Sequence, residues 1–203
     1  MKISNISVQS DGYIYCRSCF YCCHDTLSSD TTYTLSTGIN RMIGDIDSGN
    51  WSISYLLSMY KYRHKDFVLF DKPSLAVNGE LISIDELCSL ACYMDDKFYP
   101  LFSSRKTVKK LIEDGLKHRK SNYTYEEIKS IFGLDSQRVE CRVAQVGNEK
   151  FRAMAAIGLA YGKEIFCFPW LSNKRFESYH QNISKLLECL ENLGKIVIVP
   201  IGT

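Results

Sequence analysis

Two stretches of the sequence bring together side chains at spacings that chemistry uses. The first is Gly44-Asp-Ile-Asp-Ser48-Gly49-Asn50-Trp51-Ser52. Its two glycines lie between a strand-like and a helix-like segment, at the separation found in the phosphate-binding pattern G-x-x-x-x-G-K-[ST]. In that pattern the turn's amides point at phosphate, the Lys pairs with the β and γ phosphates, and the final hydroxyl holds Mg²⁺. Here Asn50 stands in the place of the Lys and Trp51 in the place of the hydroxyl, with Ser52 following. Taken alone, the window also fits an ordinary loop between a strand and a helix.

The second stretch is Cys16-Arg-Ser-Cys19-Phe-Tyr-Cys22-Cys23-His24. C-x-x-C-x-x-C is a spacing that zinc and iron–sulfur sites use, so Cys16, Cys19, Cys22, Cys23 and His24 are candidate metal ligands. The competing reading is a β hairpin in which small buried thiols alternate with aromatics. Zinc sites ordinarily draw ligand pairs from two separated segments, which favours the hairpin. Elemental analysis of anaerobically purified protein separates the two. No nucleophile, base and orienting acid can be read out. His24, His64, His118 and His180 sit in polar surroundings at unrelated spacings and read as surface residues.

The elements that must hold these residues follow from periodicity. Residues 13–15 and 31–35 alternate and are rich in β-branched and aromatic side chains, as strands are. Residues 41–43 read as a short strand, 44–49 as a loop, and Ile53, Leu56, Leu57 and Tyr60 as one face of a helix. Residues 66–70 are a further strand, and 84–91 a short helix running into 92–94. Val108, Leu111, Ile112 and Leu116 share a helical face. Thr124-Tyr-Glu-Glu127 is a capping box for a helix that ends at Gly133. Helix 151–161, strand 164–168, helix 183–193 and strand 195–199 complete an alternation that implies a largely parallel sheet with helices on its faces.

Composition bounds the setting. With 203 residues, 45% hydrophobic and 24% charged, the chain is long enough for one α/β domain. Its 25 basic and 23 acidic residues are interspersed and leave a formal charge of +2, which gives no reason to expect nucleic acid. The opening residues lack the apolar centre of a signal peptide, and no run approaches the ~20 apolar residues of a membrane span. Nine Cys, several of them inside apolar runs, suit a reducing cytoplasm. Any membrane association is then expected to be peripheral, at the inner face, through another subunit.

The order of landmarks resembles an ATP-binding-cassette (ABC) ATPase from about Tyr13 onward. Antiparallel β segments come first, then the loop at Gly44. Cys92-Tyr-Met-Asp-Asp96 is similar to the strand end and Q-loop. Tyr99-Pro-Leu-Phe102 and Thr107-Val108 resemble the landmarks that precede the helical subdomain. Gln145-Val-Gly-Asn-Glu149 lies where the signature would be, residues 165–168 resemble the Walker B strand, and 195–201 the strand before the switch histidine. The resemblance implies an α/β, P-loop NTPase-like fold. Its mixed or parallel sheet is flanked by helices, with an N-terminal antiparallel β part. A core lobe would take residues 1–95 and 151–203, and a helical subdomain about 96–150. It implies a nucleotide site at Gly44, Ser48, Gly49, Asn50, Trp51, Ser52 and Gly147, and stacking of adenine on Tyr13 or Tyr15, for which a core tyrosine is the alternative. It also implies as partners the membrane subunits of an ABC transporter, received by residues 95–120, or a second ABC ATPase domain in a homo- or heterodimer.

Departures from the family pattern then set the functional expectation. Pro169 and Trp170 stand where Walker B ends in an acidic pair, Asp95 or Asp96 replaces the Q-loop glutamine, and Ile201 aligns near the switch histidine. Of the signature only Gly147 survives. Phosphoryl transfer depends on positioning and on neutralising charge around the γ-phosphate, and the groups that do this are absent. Asp45 and Asp47 add repulsion on the order of 3 kcal/mol each at about 5 Å and an effective dielectric of ~20. The Trp51 indole is expected to fill the magnesium volume. The chain also stops just after its switch-like strand, where family members usually continue. The expectation is a catalytically inactive cassette domain without a cofactor, with no catalytic residue, in a structural or regulatory role. Weak residual nucleotide binding through Asn50 and backbone amides is the first alternative, and a metal or redox module on the cysteine cluster the second.

Overall fold

A computed structural model describes residues 3–10, 14–18, 23–27, 31–45, 48–69, 73–97, 99–102, 104–119, 122–178 and 180–203. In chain order the strands are β1 (Asn5–Ser10), β2 (Ile14–Ser18), β3 (Cys23–Leu27), β4 (Thr31–Ser36) and β5 (Gly38–Ile43). Helix α1 (Asn50–Arg63) follows, then β6 (Phe67–Leu69), β7 (Ser74–Val77), β8 (Glu80–Leu81), α2 (Ile84–Leu90) and β9 (Ala91–Tyr93). The remainder is α3 (Val108–Arg119), α4 (Tyr125–Ile131), α5 (Lys150–Ala160), β10 (Ile165–Cys167), α6 (Asn173–Ser178), α7 (His180–Asn192) and β11 (Ile196–Ile201).

The parallel sheet has the order β5-β11-β10-β9. Its register sets Gly38 beside Ile196, Ile196 beside Ile165, and Ile165 beside Ala91. Every residue of β9, β10 and β11 is buried. That is why these strands read as unbroken apolar runs: α1 covers one face, and α7 with α5 covers the other, so neither pleat face meets water. The outermost strand, β5, keeps an alternating pattern with Arg41 and Ile43 exposed. The expected strand at 41–43 therefore begins three residues earlier.

Two antiparallel sheets complete the β part, in the orders β4-β1-β7-β8 and β3-β2-β6. Ile6, Val8, Leu35, Leu75 and Val77 are its buried side chains in the first sheet. Asn78 and Gly79, at φ 53° and 83°, make the tight turn of the β7–β8 hairpin, as an Asn-Gly pair does. The Asn78 side-chain oxygen accepts from the Ser4 amide at 2.8 Å and the Ser4 hydroxyl at 2.7 Å, tying this hairpin to the start of β1.

Helix α1 is buried along nine consecutive residues, Trp51 through Met59. It lies between the parallel sheet and the β3-β2-β6 sheet, with α2 alongside. Two of its buried serines donate to backbone oxygens: Ser58 to the Ser54 carbonyl at 2.6 Å, and Ser54 to the Phe168 carbonyl at 2.5 Å.

The middle of the chain is helical, as its pattern requires. Val108, Leu111, Ile112 and Gly115 are the buried face of α3. Gly115 is required there: a Cβ would stand 2.9 Å from the Ala160 backbone at the end of α5. The capping box of α4 is present in full, Glu127 N to Thr124 Oγ1 at 3.2 Å and Thr124 N to Glu127 Oε2 at 2.7 Å. No helix among the described residues is long and apolar enough to cross a membrane.

Candidate functional site

The loop between β5 and α1 stands at the carboxyl end of the parallel sheet, beside the segments that follow β10 and β11. In open α/β sheets this is the end at which ligands bind. The β5–β11 ladder runs into the loop, with the Gly44 amide donating to the Ile201 carbonyl at 2.9 Å. Leu171 folds the segment after β10 back onto β11: its amide donates to Pro200, and the Gly202 amide donates to its carbonyl.

Inside the loop, polar side chains close on the backbone. Ser48 turns both its amide and its hydroxyl to the Asp45 carbonyl, at 3.0 and 2.6 Å. A Cβ on Gly44 would lie 2.4 Å from Ser48 Oγ and 2.5 Å from Asn50 Nδ2, so those two side chains occupy the space over Gly44. Gly49 takes a left-handed conformation, φ 84°, and starts α1, whose first turn carries no acidic residue. The Asp45 carboxylate accepts from the Thr203 hydroxyl at 2.8 Å; Asp47 lies outside the described residues.

Trp51 and Trp170 divide between the inside and the mouth of this site. Trp51 is 1% exposed, stacks on Tyr55 at 5.0 Å and donates from Nε1 to the Tyr93 hydroxyl at 3.2 Å. The expectation that its indole stands in the loop itself is thus corrected: the first turn of α1 aims it into the core, against the end of β9. Ser52 is buried beside it. The indole that meets the loop belongs to Trp170, whose Nε1 lies 3.4 Å from the Gly44 carbonyl oxygen. Its ring also covers Gly202, where a Cβ would come within 2.5 Å of Cζ2. Pro169 is buried, as is Ile201.

Gly147 sits elsewhere, at φ 62° in the turn that leads into α5. Arg138 holds this turn by donating to the Val146 carbonyl at 3.0 Å and to Asn148 Oδ1 at 2.6 Å. Glu149 is anchored by Arg152 at 3.4 Å and by the Asp135 amide at 3.3 Å. Lys150 reaches across to Asp96 at 2.9 Å, joining the start of α5 to the segment after β9. Next to it, burial raises the Asp95 carboxyl above its ordinary value. Among the described residues no hydrogen bond joins Gly147 to the loop at Gly44.

The structure therefore brings together Gly44, Ser48, Gly49 and Asn50, turns Trp51 and Ser52 inward, and leaves Gly147 on another element. Tyr93, Gly202 and Thr203 were not anticipated as neighbours of this loop. Only the parallel order of β5, β11, β10 and β9 makes them so. Of the candidate metal ligands, Cys16 lies on β2 and Cys23 and His24 on β3, where the register sets Arg17 opposite His24 and Ser18 opposite Cys23. Cys19, Cys22 and Tyr13 lie outside the described residues.

No protein-family model matches the chain, and no curated protein sequence matches it. Solved structures do match. A bacterial Atm1-family ABC exporter with ATP bound aligns over 100% of this chain at a TM-score of 0.57 and 12% identity; the chain spans 35% of the exporter. A putative ABC transporter ATP-binding protein from Pyrococcus furiosus aligns over 98% of this chain and 91% of its own length, at a TM-score of 0.59 and 15% identity. With the sheet order β5-β11-β10-β9 and a glycine-bounded loop between β5 and α1, these likenesses establish an ABC ATPase-like α/β fold.

Proposed function

We propose that the chain is a catalytically inactive ABC ATPase-like domain, serving in the cytoplasm as a structural or regulatory subunit of an ABC transporter or as one half of an asymmetric cassette pair. The observation that carries this reading is the closure of the loop by its own neighbours. Trp170 stands against the Gly44 carbonyl, and Ser48 and Asn50 fill the space over Gly44. The residues present do not fit a magnesium–triphosphate group. Asn50 offers no cation, Trp51 offers no hydroxyl, and Pro169 and Trp170 supply neither a metal-organising carboxylate nor a base. The retained fold supports a role in shape and assembly. Membrane subunits would meet residues 95–120, and a partner cassette would meet the Gly147 turn that Arg138 stiffens.

Isothermal titration of the intact chain with Mg-ATP, paired with phosphate release, tests the proposal. The expected result is no saturable heat and no turnover. Micromolar binding together with turnover that disappears in Gly49→Ala, with circular dichroism unchanged, overturns it.

A further inference from the structure

We propose that Lys61, Arg119 and Lys163 form a binding site for the doubly charged phosphate of a phosphate monoester. The site lies where α2 runs into β9 and α5 into β10, at the amino ends of the parallel strands. The Gly44 loop is at the other end of the same sheet, so the proposal is independent of whether nucleotide binds there.

Helix ends bring the cations together. Ser89, in the last turn of α2, receives two of them: Lys61, from the last turn of α1, donates to its hydroxyl at 3.1 Å, and Lys163 donates to its carbonyl at 2.6 Å. Arg119, the last residue of α3, donates from Nε to the Tyr161 carbonyl at 2.8 Å. Its side chain lies along Gly162, where a Cβ would stand 3.3 Å from Nε, so the guanidinium sits beside the residue that precedes Lys163. Gly162, at φ 68°, makes the turn that returns the Lys163 amide to the Gly158 carbonyl at 2.9 Å.

What these groups lack is an anion. Among the described residues none of the three forms an ion pair. Nearby carboxylates are engaged elsewhere: Asp114 of α3 with Lys106 at 2.6 Å and Lys110 at 3.3 Å, and Glu164 with Lys195 at 2.9 Å. The ends of α2 and α5, with about half a negative charge each, offset roughly one of the three positive charges. Lys163 registers the imbalance. It is only 7% exposed; burial lowers its ammonium below the ordinary value, and Arg119 and Lys61 push it the same way, against an opposite pull from Cys92. A buried cation among like charges is destabilised, and a bound anion removes that penalty.

The donors select the anion. Lys61 and Arg119 are exposed, and each keeps further N–H groups beyond the one given to Ser89 or Tyr161. Arg119 presents a planar fork to two oxygens, Lys61 meets another as a point charge, and Lys163 behind them contributes charge. A phosphate monoester offers three outward oxygens and two negative charges, which answers three cations once the helix ends are counted. A carboxylate brings two oxygens and one charge, and leaves the site unbalanced.

Glycerol phosphate is the probe, titrated onto the full chain at constant ionic strength with amide chemical shifts as the readout. Saturable shifts at Ser89, Tyr161 and Lys163 are expected, with a dissociation constant below about 1 mM. Lys61→Gln and Arg119→Gln, both at exposed positions, each weaken binding about tenfold or more, the factor one charge-assisted hydrogen bond supplies. Lys174→Gln, on α6, leaves the affinity unchanged. A second measurement needs no variant: the ligand moves the titration of the Lys163 ammonium to higher pH. Cosedimentation with phosphatidylcholine vesicles containing phosphatidic acid separates the sources of the ester. Tighter binding to these vesicles than to glycerol phosphate makes it a lipid headgroup, and the reverse makes it a soluble ester; both support the site. Absence of saturation at millimolar probe overturns the proposal. So do shifts confined to the Gly44 to Gly49 loop, an affinity unchanged in both glutamine variants, or a Lys163 titration that the ligand does not move.

Discussion

Trp170 and Gly44 are joined by a hydrogen bond of 3.4 Å from indole Nε1 to carbonyl oxygen, which ties the segment after β10 to the loop after β5. The same ring lies on Gly202, so one side chain touches the ends of three elements. Removing it separates two ideas: that Trp170 blocks an otherwise competent site, and that the site lacks its chemistry altogether.

Trp170→Ala is expected to lower the unfolding free energy by about 1–3 kcal/mol, less than a fully buried Trp because Trp170 is only part-buried. Urea titration measures this. Phosphate release with Mg-ATP stays at background in the variant, since Asn50, Trp51 and Pro169 are unchanged; a burst of turnover would show that Trp170 alone was inhibitory.

Trp51 and Tyr93 form a buried polar contact between α1 and β9. A double-mutant cycle of Trp51→Phe and Tyr93→Phe should give a coupling energy of about 1 kcal/mol, because each single change removes one side of this contact. Trp51→Ala is expected to cost about 3–5 kcal/mol, as for a fully buried Trp. A cycle that closes at zero would place the indole somewhere other than against Tyr93.

Burial pushes the Cys88 thiol up to about 11 and the Cys92 thiol up to about 12, from 9.0 in the unfolded chain. A raised thiol stays neutral in the folded state, so its contribution is complete below pH 9 and is lost as pH rises from there through the folded value. Each thiol should steepen the fall in stability by about 1.4 kcal/mol per pH unit in that window. Lys163 works the other way just below 10.5, since burial lowers its ammonium. The clean measurement is thus a difference: Cys92→Ala should decline less steeply than the parent between pH 9 and 11 in urea midpoints.

Helices and buried strands were legible in the sequence because their periodicities are set by local packing. The Thr124 capping box, the face of α3 and the strand before Thr203 all appear where the pattern puts them. The Asn78-Gly79 hairpin and the Ser83 capping box of α2 carry local signals of the same kind. At the site, the loop and its glycines could be read from spacing, because turn and helix start are local. Which indole would face the loop could not. Trp51 and Trp170 are equally apolar in the sequence, and only the direction of α1's first turn and the return of Leu171 onto β11 decide between them. The Asp96–Lys150 pair, 54 residues apart, likewise depends on how the helical part meets the sheet.

Helix α1 is buried from Trp51 through Met59 between two sheets. Such a helix is hemmed in on both sides, and the Ser54 hydroxyl, donating to the Phe168 carbonyl, ties it to the segment after β10 as well. Displacing α1 would therefore mean breaking that bond and unpacking the helix from both sheets at once.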